Sequence, residues 1–344
     1  MDRDTLTGLG NERKLMRDMG TAPASAGAAG THLTVFDLEG FKHYNDSYGR
    51  ACGDVMLRRL AGRLAAAIGP DAEAYRTQGD EFAVLDRGPA AAVAATVERA
   101  ASALVELGEG FMIRAWHGSV SLPEDTEFPG DALKLADQRL QQHRHDPRTA
   151  QTPELALRTA TRVPIAEPAY GPGDLARQVG ERLGIAGDEL SDLVAATELR
   201  DVGMMAVPDS VQLVEGGLSL DDRRLIRLHT VVGERLLTAN FGMGSVAAIV
   251  RSSHEQFDGR GYPDALAGDD IPLAARVVFA CGVFSDLTAE RPHRHALSPA
   301  EAFAEVRRHA GVQFDPAVID ALVQVVQVTT AAPRFVRRAA TVAA

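Results

Sequence analysis

Residues 74–85 read Ala-Tyr-Arg-Thr-Gln-Gly-Asp-Glu-Phe-Ala-Val-Leu, and this stretch decides the fold of the first half of the chain. Two short runs, 74–77 and 82–85, are separated by four residues with a Gly-Asp pair at their centre. This spacing predicts a β-hairpin whose turn carries Asp80 and Glu81. The hairpin therefore indicates a sheet whose edge presents two adjacent carboxylates.

Helices and strands alternate on both sides of the hairpin. This alternation predicts an α/β (α+β) sheet domain over residues 1–148. The spacing of apolar residues predicts strands over 31–36 and 111–122, and helices over 54–67, 90–107 and 129–143.

A proline-rich stretch interrupts this alternation and marks a domain boundary. Five prolines fall between residues 147 and 172, so we place a linker over 149–168. The helical spacing after it predicts an all-α second domain over 169–330, followed by a tail over 331–344. Its helices are predicted over 174–184, 187–200, 219–238, 243–255, 272–288, 298–310 and 315–328.

The charge and composition of the chain argue against several classes of protein. A formal net charge of −11 argues against binding to nucleic acid or to an anionic membrane surface. Cys52 and Cys281 lie far apart, so neither a disulfide framework nor a cysteine-based zinc site is expected. The sequence starts without the apolar segment of a signal peptide, and no apolar run reaches the ~20 residues that span a bilayer. We therefore expect a soluble, cytoplasmic protein.

Three carboxylates are predicted to meet at one edge of the sheet. Asp37 follows the strand over 31–36, and Asp80 and Glu81 lie in the hairpin turn. Oxygen ligands of this kind suit Mg²⁺ that carries phosphate groups. Aspartate is also common in turns, so the prediction of a metal site rests on the three residues together.

The residues after the first of these carboxylates suit a guanine nucleotide. Gly40 and Phe41 are placed to offer backbone N–H groups to phosphate oxygens, and Lys42 adds a positive charge. Asn45 and Asp54 offer an amide and a carboxylate. A carboxylate accepts from guanine N1–H and N2–H₂ while an amide donates to O6 or N7, and adenine does not match this pattern.

This half of the sequence resembles the GGDEF domains of diguanylate cyclases. The resemblance rests on residues 4–11, 37–54, 76–82 and 136–148, in the family's order, and covers about residues 1–148. It implies a fold of the nucleotide-cyclase type that holds one GTP with Mg²⁺ or Mn²⁺. It also implies a homodimer, because two such domains must face each other to join two GTP molecules into cyclic di-GMP.

The resemblance assigns roles to individual residues. Asp37, Asp80 and Glu81 match the metal-binding residues, and Glu81 also assists activation of the 3′-hydroxyl group. Asp80, Glu81 and Lys42 match the residues that act in catalysis. The residues that match phosphate and guanine contacts are Gly40, Phe41, Lys42, Asn45, Asp54, Arg144 and Arg148.

The sequence departs from that family at three places. Gln78 stands where the signature begins with glycine, which tolerates positive φ angles and close ligands better than glutamine. Arg144 replaces the usual lysine. The family's product-inhibition motif would fall on Gly69 and Ala72, so inhibition by that route is not expected. The sequence leaves open whether the turn forms with Gln78.

The second half resembles the HD-GYP family, an HD-superfamily group of helical phosphodiesterases that hydrolyse cyclic di-GMP with bound iron or manganese. The resemblance rests on residues 199–204, 228–229, 253–263 and 271–276 and covers about 170–328. Residues of other types stand at three ligand positions, namely Arg200, Ser253 and Gly282. The ligand-type residues that remain are Asp201, His229 and His254.

This substitution pattern predicts a degenerate HD-GYP domain. A guanidinium is always charged and is not a ligand, so Arg200 would repel a metal ion. We therefore expect neither a metal nor phosphodiesterase activity in this domain. Our hypothesis is that Arg200 takes the place of the ion and pairs with Asp201.

Two functions remain open. In the first, the chain is a diguanylate cyclase whose second domain regulates it, forms the dimer or binds a protein partner. In the second, both domains are inactive and the chain is a scaffold or adaptor that responds to GTP or cyclic di-GMP. A third, a working phosphodiesterase activated by GTP, is contradicted by Arg200, Ser253 and Gly282.

Overall fold

The structure is a computed structural model that describes residues 2–20, 30–145, 170–213, 216–290 and 294–331. Its contacts divide the chain into two compact units. The first comprises Met1–Thr161 with Met204–Val232, and the second comprises Arg162–Gly203 with Gly233–Ala344. The predicted linker and the tail beyond Ala331 lie outside the described residues, so the predicted domain limits remain predictions.

A six-stranded mixed sheet forms the centre of the first unit. Its strands are β1 (Gly10–Asn11), β2 (Thr31–Glu39), β3 (Ala72–Gln78), β4 (Glu81–Asp86), β5 (Glu106–Gly108) and β6 (Phe111–Leu122). They lie in the order β1-β3-β4-β2-β6-β5, with β1 and β3 parallel and the other neighbours antiparallel. The central strand β2 is buried over Thr31–Phe36, as expected for an apolar strand covered on both faces.

Helices pack on this sheet and make up the second unit. In chain order they are α1 (Glu12–Gly20), α2 (Phe41–Tyr48), α3 (Arg50–Ala67), α4 (Ala90–Ala103), α5 (Pro129–His145), α6 (Pro172–Arg182), α7 (Gly187–Leu199), α8 (Asp209–Gln212), α9 (Leu220–Arg227), α10 (His229–Phe241), α11 (Gly244–Arg251), α12 (Leu273–Leu287), α13 (Pro299–Arg308) and α14 (Pro316–Ala331). The predicted fold class, a GGDEF-type sheet unit followed by a helical HD unit, is confirmed.

The helical unit has one continuous apolar core. Val277, Val278, Cys281 and Phe284 of α12 are fully buried in it, and α12 packs on α6, α7 and α14. A helix that is apolar on most of its circumference must be surrounded by other elements. None of the helices within the described ranges is long and apolar enough to cross a membrane.

Residues 204–232 belong to the first unit through their contacts. The hydroxyl group of Tyr44 on α2 donates to the backbone oxygen of Ala206 at 2.8 Å, and this tyrosine side chain is fully buried. Val207 and Val211 are buried in the same segment. The segment is therefore packed by its apolar side chains and held by a buried hydrogen bond.

A network of ion pairs joins α3 to the start of α9. Arg59 Nε donates to Glu106 Oε1 at 2.8 Å, and the Glu106 side chain is 1% exposed. Arg59 also pairs with Asp222, and Arg58 Nε lies 3.2 Å from Asp221 Oδ1. A buried carboxylate is stable only with a cation or hydrogen-bond donors beside it, so α3 and α9 are held by matched charges.

The predicted helix over 90–107 extends four residues beyond the C-terminal end of the helix in the structure. The helix α4 ends at Ala103, and residues 106–108 pair with β6 as strand β5. The apolar pattern there is shared by a helix and a short strand, and the pairing partner decides between them.

The predicted helix over 219–238 is two helices, α9 and α10, which meet at Leu228. The ring of His229 donates through Nδ1 to the carbonyl oxygen of Ile226 at 2.6 Å. Side chains that bond to backbone oxygens compete with the helical ladder, which accounts for the break.

Candidate functional site

The predicted hairpin forms with Gln78 in place. Gln78 is the last residue of β3 and pairs with Glu81, and Gly79 takes the left-handed conformation at φ +48°. The guanidinium of Arg76 donates to the backbone oxygen of Gly79 at 2.9 and 2.6 Å. The position that needs glycine is therefore 79, and Gln78 is tolerated because it ends the strand.

Asp37 and Glu81 lie side by side on neighbouring strands. Their Cα atoms are register partners between β2 and β4. Burial raises the pKa of Asp37, and the negative charge of Asp80 adds to the rise. Burial also raises the pKa of Glu81, which a hydrogen bond from Gln78 opposes and the charge of Asp37 supports. The charge of Asp80 thus makes Asp37 harder to ionise, and the charge of Asp37 does the same to Glu81.

This donor set fits a hard divalent cation. Carboxylates that raise one another's pKa values gain from a bound cation, since the ion cancels their repulsion. Within the described ranges, the ligand atoms of Asp37, Asp80 and Glu81 do not all lie within 4.8 Å of one another.

The start of α2 lies directly after these carboxylates. Gly40 has φ +86°, and a β-carbon there would overlap the carbonyl oxygen of Met112. Phe41 is buried, which anchors the helix, whereas Lys42 is exposed. The first N–H groups of a helix have no partner within it, so the start of α2 offers backbone donors at this point. Phosphate contacts by Gly40, Phe41 and Lys42 remain a prediction.

Asn45 and Asp54 come from two helices that touch. A β-carbon on Gly53 would overlap Oδ1 of Asn45, so the amide lies against α3 beside Asp54. Among the described residues, the buried Oδ1 of Asn45 has no hydrogen-bond partner. An unsatisfied buried polar atom costs free energy, and a ligand with suitable donors would satisfy it.

Arg144 reaches the same edge of the sheet from α5. Its Nη1 lies 3.5 Å from Oδ2 of Asp37. Gly118 allows this helix to approach, because a β-carbon there would overlap the carbonyl oxygen of Ala136 on α5. Arg148, the other predicted phosphate ligand, lies outside the described residues.

The helical region holds a group of ligand-type side chains. Asp201 and His254 of the second unit each offer one ligand atom, and these two atoms lie within 4.8 Å of each other. The hydroxyl group of Ser253 donates to the carbonyl oxygen of Val250 at 2.8 Å. It also lies 3.1 Å from Nδ1 of His254.

Arg200 lies beside this group and not in solvent. Its side chain is 16% exposed, and Nε lies 3.3 Å from Oδ2 of Asp201. Nη2 lies 3.6 Å from Oδ1 of Asp286. The predicted pairing of Arg200 with Asp201 is therefore present.

Three residues that position these groups were missing from the predicted sites. Gly53 and Gly118 allow close approach of backbone or amide, and a glycine next to a helical or strand pattern is the signal for such contacts. Asp286 lies one helical turn after Gly282 and is the one carboxylate on the mostly apolar helix α12. A lone carboxylate at that spacing indicates a buried partner.

Comparison with known proteins places these features in two families. A family model described as "HD domain" matches residues 139–318, which is more than half of the chain. The chain belongs to the HD domain family. A second model, described as "Diguanylate cyclase, GGDEF domain", matches residues 1–150, so this HD-family chain also carries a GGDEF domain.

Relatives of the HD-family chain match it region by region. It is 38% identical over 148 residues to the cyclic di-GMP phosphodiesterase response regulator RpfG of Xanthomonas campestris, covering 42% of this chain and 39% of that protein. It is 37% identical over 102 residues to the diguanylate cyclase DgcS of Shewanella oneidensis, covering 29% of this chain and 34% of that protein. A solved sensory box/GGDEF family protein from Caulobacter crescentus is 29% identical, with a TM-score of 0.38, 42% of this chain covered and 98% of the other.

The two domains together indicate a protein of cyclic di-GMP signalling. GGDEF domains in general use Mg²⁺ or Mn²⁺ with GTP, and HD domains usually bind metal ions. The chain spans 39% and 30% of the length of the first two curated relatives that it matches. The activity of the whole protein is therefore a matter for proposal.

Proposed function

We propose that the chain is a diguanylate cyclase, which joins two GTP molecules into cyclic di-GMP and releases two pyrophosphates. The observation that carries this proposal is the meeting of Asp37, Glu81 and Arg144 at one edge of the sheet. Asp37 is the register partner of Glu81 and lies 3.5 Å from Arg144. A carboxylate pair beside a guanidinium suits metal-bound phosphate groups.

The residues would divide the work as follows. A magnesium or manganese ion held by Asp37, Asp80 and Glu81 would neutralise the charge that develops on the transferred phosphate. Glu81, whose pKa is raised by burial, is a better acceptor for the proton of the attacking 3′-hydroxyl group. The phosphate contacts are assigned to Gly40, Phe41, Lys42, Arg144 and Arg148.

Guanine selectivity is assigned to Asn45 and Asp54. The buried oxygen of Asn45 lacks a partner within the described part of the chain, and the adjacent Asp54 is exposed. The amide and carboxylate together match the Watson–Crick and Hoogsteen edges of guanine. Since one domain holds one GTP, the proposal includes a homodimer, and we place the protein in the cytoplasm.

The helical domain is proposed to regulate the cyclase activity of the first domain or to form the dimer. A protein partner would also bind to the helical domain. RpfG and several other relatives are named as phosphodiesterases. The proposal departs from those names because Arg200, Ser253 and Gly282 stand at positions that the resemblance to the HD-GYP family assigns to metal ligands. These residue types do not supply the ligands of a multi-metal hydrolytic site.

The test is synthesis of cyclic di-GMP by the purified chain with GTP and Mg²⁺ or Mn²⁺, followed by mass spectrometry. Glu81→Gln should reduce the rate at least a hundredfold, because it removes a metal ligand and a base. Glu98→Gln makes the same chemical change at an exposed residue of α4 and should leave the rate unchanged. No product at concentrations where the chain is dimeric would end the cyclase proposal.

A second candidate is an inactive scaffold that binds GTP or cyclic di-GMP. Two observations favour it: Gln78 donates from Nε2 to Oε2 of Glu81 at 3.3 Å, and Arg200 occupies the helical site. GTP binding by calorimetry without turnover would support the scaffold. Conversion of added cyclic di-GMP to a linear dinucleotide would contradict both candidates.

A further inference from the structure

Arg200 is held at the end of α7 by contacts on several sides. Its Nη1 donates to the backbone oxygen of Thr197 at 3.2 Å, which is one of the carbonyl groups that a helix leaves free at its end. Its Nε lies 3.3 Å from Asp201, and its Nη2 lies 3.6 Å from Asp286. One guanidinium therefore holds two carboxylates from different elements.

Gly282 provides the space for this guanidinium. A β-carbon at position 282 would lie 3.1 Å from Nε of Arg200, 3.4 Å from Cδ and 3.5 Å from Cζ. The charged group thus lies over the bare backbone of α12, next to the fully buried Cys281. A side chain at position 282 would crowd the guanidinium, so the absence of a side chain at Gly282 helps Arg200 to lie here.

The guanidinium is incompatible with a metal ion on the neighbouring carboxylate. It stays protonated at all ordinary pH values and has no lone pair to donate. An ion bound at Asp201 would share this carboxylate with the fixed positive charge of Arg200, at a distance where two cations repel strongly. The metal ions that HD domains usually bind therefore do not fit this site while Arg200 is in place.

We infer that Arg200 is the resident cation of the helical domain, which balances Asp201 and Asp286 and keeps divalent metal ions off Asp201. Gly282 is the gap that this arrangement requires. The inference concerns metal binding alone, so it stands or falls independently of cyclase activity in the first domain.

The first measurement is the metal content of the unaltered full chain, purified after growth with iron and manganese. The same analysis of the Asp37→Ala/Asp80→Ala chain, which lacks two carboxylates proposed to hold metal in the first domain, should find less than about a tenth of an equivalent of either metal per chain, because Arg200 repels the ion. One or more equivalents of iron or manganese that survive removal by Asp37→Ala/Asp80→Ala would overturn the inference, since that metal would be in the helical domain.

The second measurement replaces the cation. Arg200→His removes the fixed charge and supplies a possible ligand, and the double variant Arg200→His/Gly282→Asp adds a carboxylate. Both should gain bound Mn²⁺, and added Mn²⁺ should raise their unfolding temperatures by several degrees, since a ligand that binds the folded state stabilises it. All variants are compared in the Asp37→Ala/Asp80→Ala background, where the chain that keeps Arg200 and Gly282 should show no such shift.

Two controls separate this effect from a general change of charge. Arg251→His makes the same change at an arginine of the same unit that also pairs with two carboxylates, Asp264 and Glu234, and should gain no Mn²⁺. Gly282→Asp alone keeps Arg200 and should also stay free of metal. Equal Mn²⁺ uptake by Arg251→His, or no uptake by a folded Arg200→His/Gly282→Asp, would overturn the inference.

Discussion

At the scale of single residues, glycine decides where the nucleotide segment lies. Gly40 combines a positive φ with direct backbone contact to Met112, whereas Gly62 is exposed on α3 with nothing within 4 Å of a β-carbon. The same change, glycine to alanine, should therefore have opposite effects at these two positions.

Gly40→Ala should reduce the free energy of unfolding of the first unit by about 2 to 4 kcal/mol, from backbone strain and overlap. Gly62→Ala should raise it by about 0.5 to 1 kcal/mol, because alanine favours a helix. Urea unfolding of both variants, monitored by circular dichroism, checks the pair. Equal effects would mean that the overlap at position 40 is relieved by local movement.

His117 gives the first unit a dependence on pH. Burial, together with the nearby His143, lowers the pKa of His117 to about 4, against about 6.5 in an unfolded chain. Below pH ~6.5 the unfolded state therefore takes up a proton that the folded state does not. The free energy of unfolding should fall between pH ~6.5 and ~4, by about 1 to 2 kcal/mol after allowance for partial exposure.

The measurement compares the chain with His117→Gln over this pH range. The variant lacks the titrating ring, so the difference in unfolding free energy between the two proteins should change with pH and level off above pH ~6.5. If the difference in unfolding free energy stays constant with pH, His117 has the same pKa in the folded and unfolded states. Nuclear magnetic resonance of the histidine ring gives the pKa directly.

At the scale of elements, the start of α9 depends on α3. Asp222 closes a capping box with Ser219 and also pairs with Arg59. Burial by itself raises the pKa of Asp222, but its bonds to Ser219 and the charge of Arg59 outweigh this and lower it. Glu301 closes the same type of capping box on α13 with Ser298.

Asp222→Asn should lower the free energy of unfolding of the first unit by about 2 kcal/mol. The change weakens the cap of α9 and removes a negative charge that balances Arg59. Glu301→Gln, which affects a cap alone, should cost about 0.5 to 1 kcal/mol in its own unit. Hydrogen exchange resolved along α9 and α13 measures both. A loss at Asp222 no larger than at Glu301 would contradict a structural role for the ion pair.

Local sequence patterns predict the elements of this chain better than their ends. The hairpin at 74–85 and the strand at 111–122 follow from alternation and turn chemistry, which act over a few residues. The short strand β5 depends on its pairing with β6, so the pattern at 90–107 could not separate it from a helix. The break at Leu228 depends on a histidine side chain that bonds to the backbone.

For the candidate site too, the sequence predicted what depends on neighbouring residues and missed what depends on contacts between distant segments. The sequence predicted that Asp37 and Glu81 meet, but it placed Asp37 after a strand and Glu81 in a turn. Asp37 lies within β2 and Glu81 begins β4, and the register between these strands brings the two residues together. The support given by Gly53 to Asn45, and by Gly282 to Arg200, depends on contacts between separate helices. Such contacts leave no local pattern in the sequence beyond an isolated glycine.

At the scale of the whole molecule, the family match and the packing unit have different limits. The GGDEF match ends at residue 150, but residues 204–232 belong to the same compact unit. Arg58 and Asp221 are 163 residues apart in sequence. The GGDEF domain is therefore completed by a later stretch of chain.

A fragment of residues 1–150 should consequently be less stable than the same residues in the full chain. It loses the acceptor of the buried Tyr44 hydroxyl, Asp221 as the partner of Arg58 and Asp222 as one partner of Arg59, which should cost about 2 to 4 kcal/mol. Hydrogen exchange of α2 and α3 in the fragment and in the full chain measures the difference. Equal protection in both would contradict the prediction.

The packing of segment 204–232 on the first unit also constrains how the gene can recombine during evolution. The arginines on α3 and the acids at the start of α9 are matched across a long stretch of gene, so recombination between them would separate charges that were selected together. Homologues that retain this packing should change the two sides in concert, and a gene fusion that exchanged only the first 150 codons would have to evolve the match again.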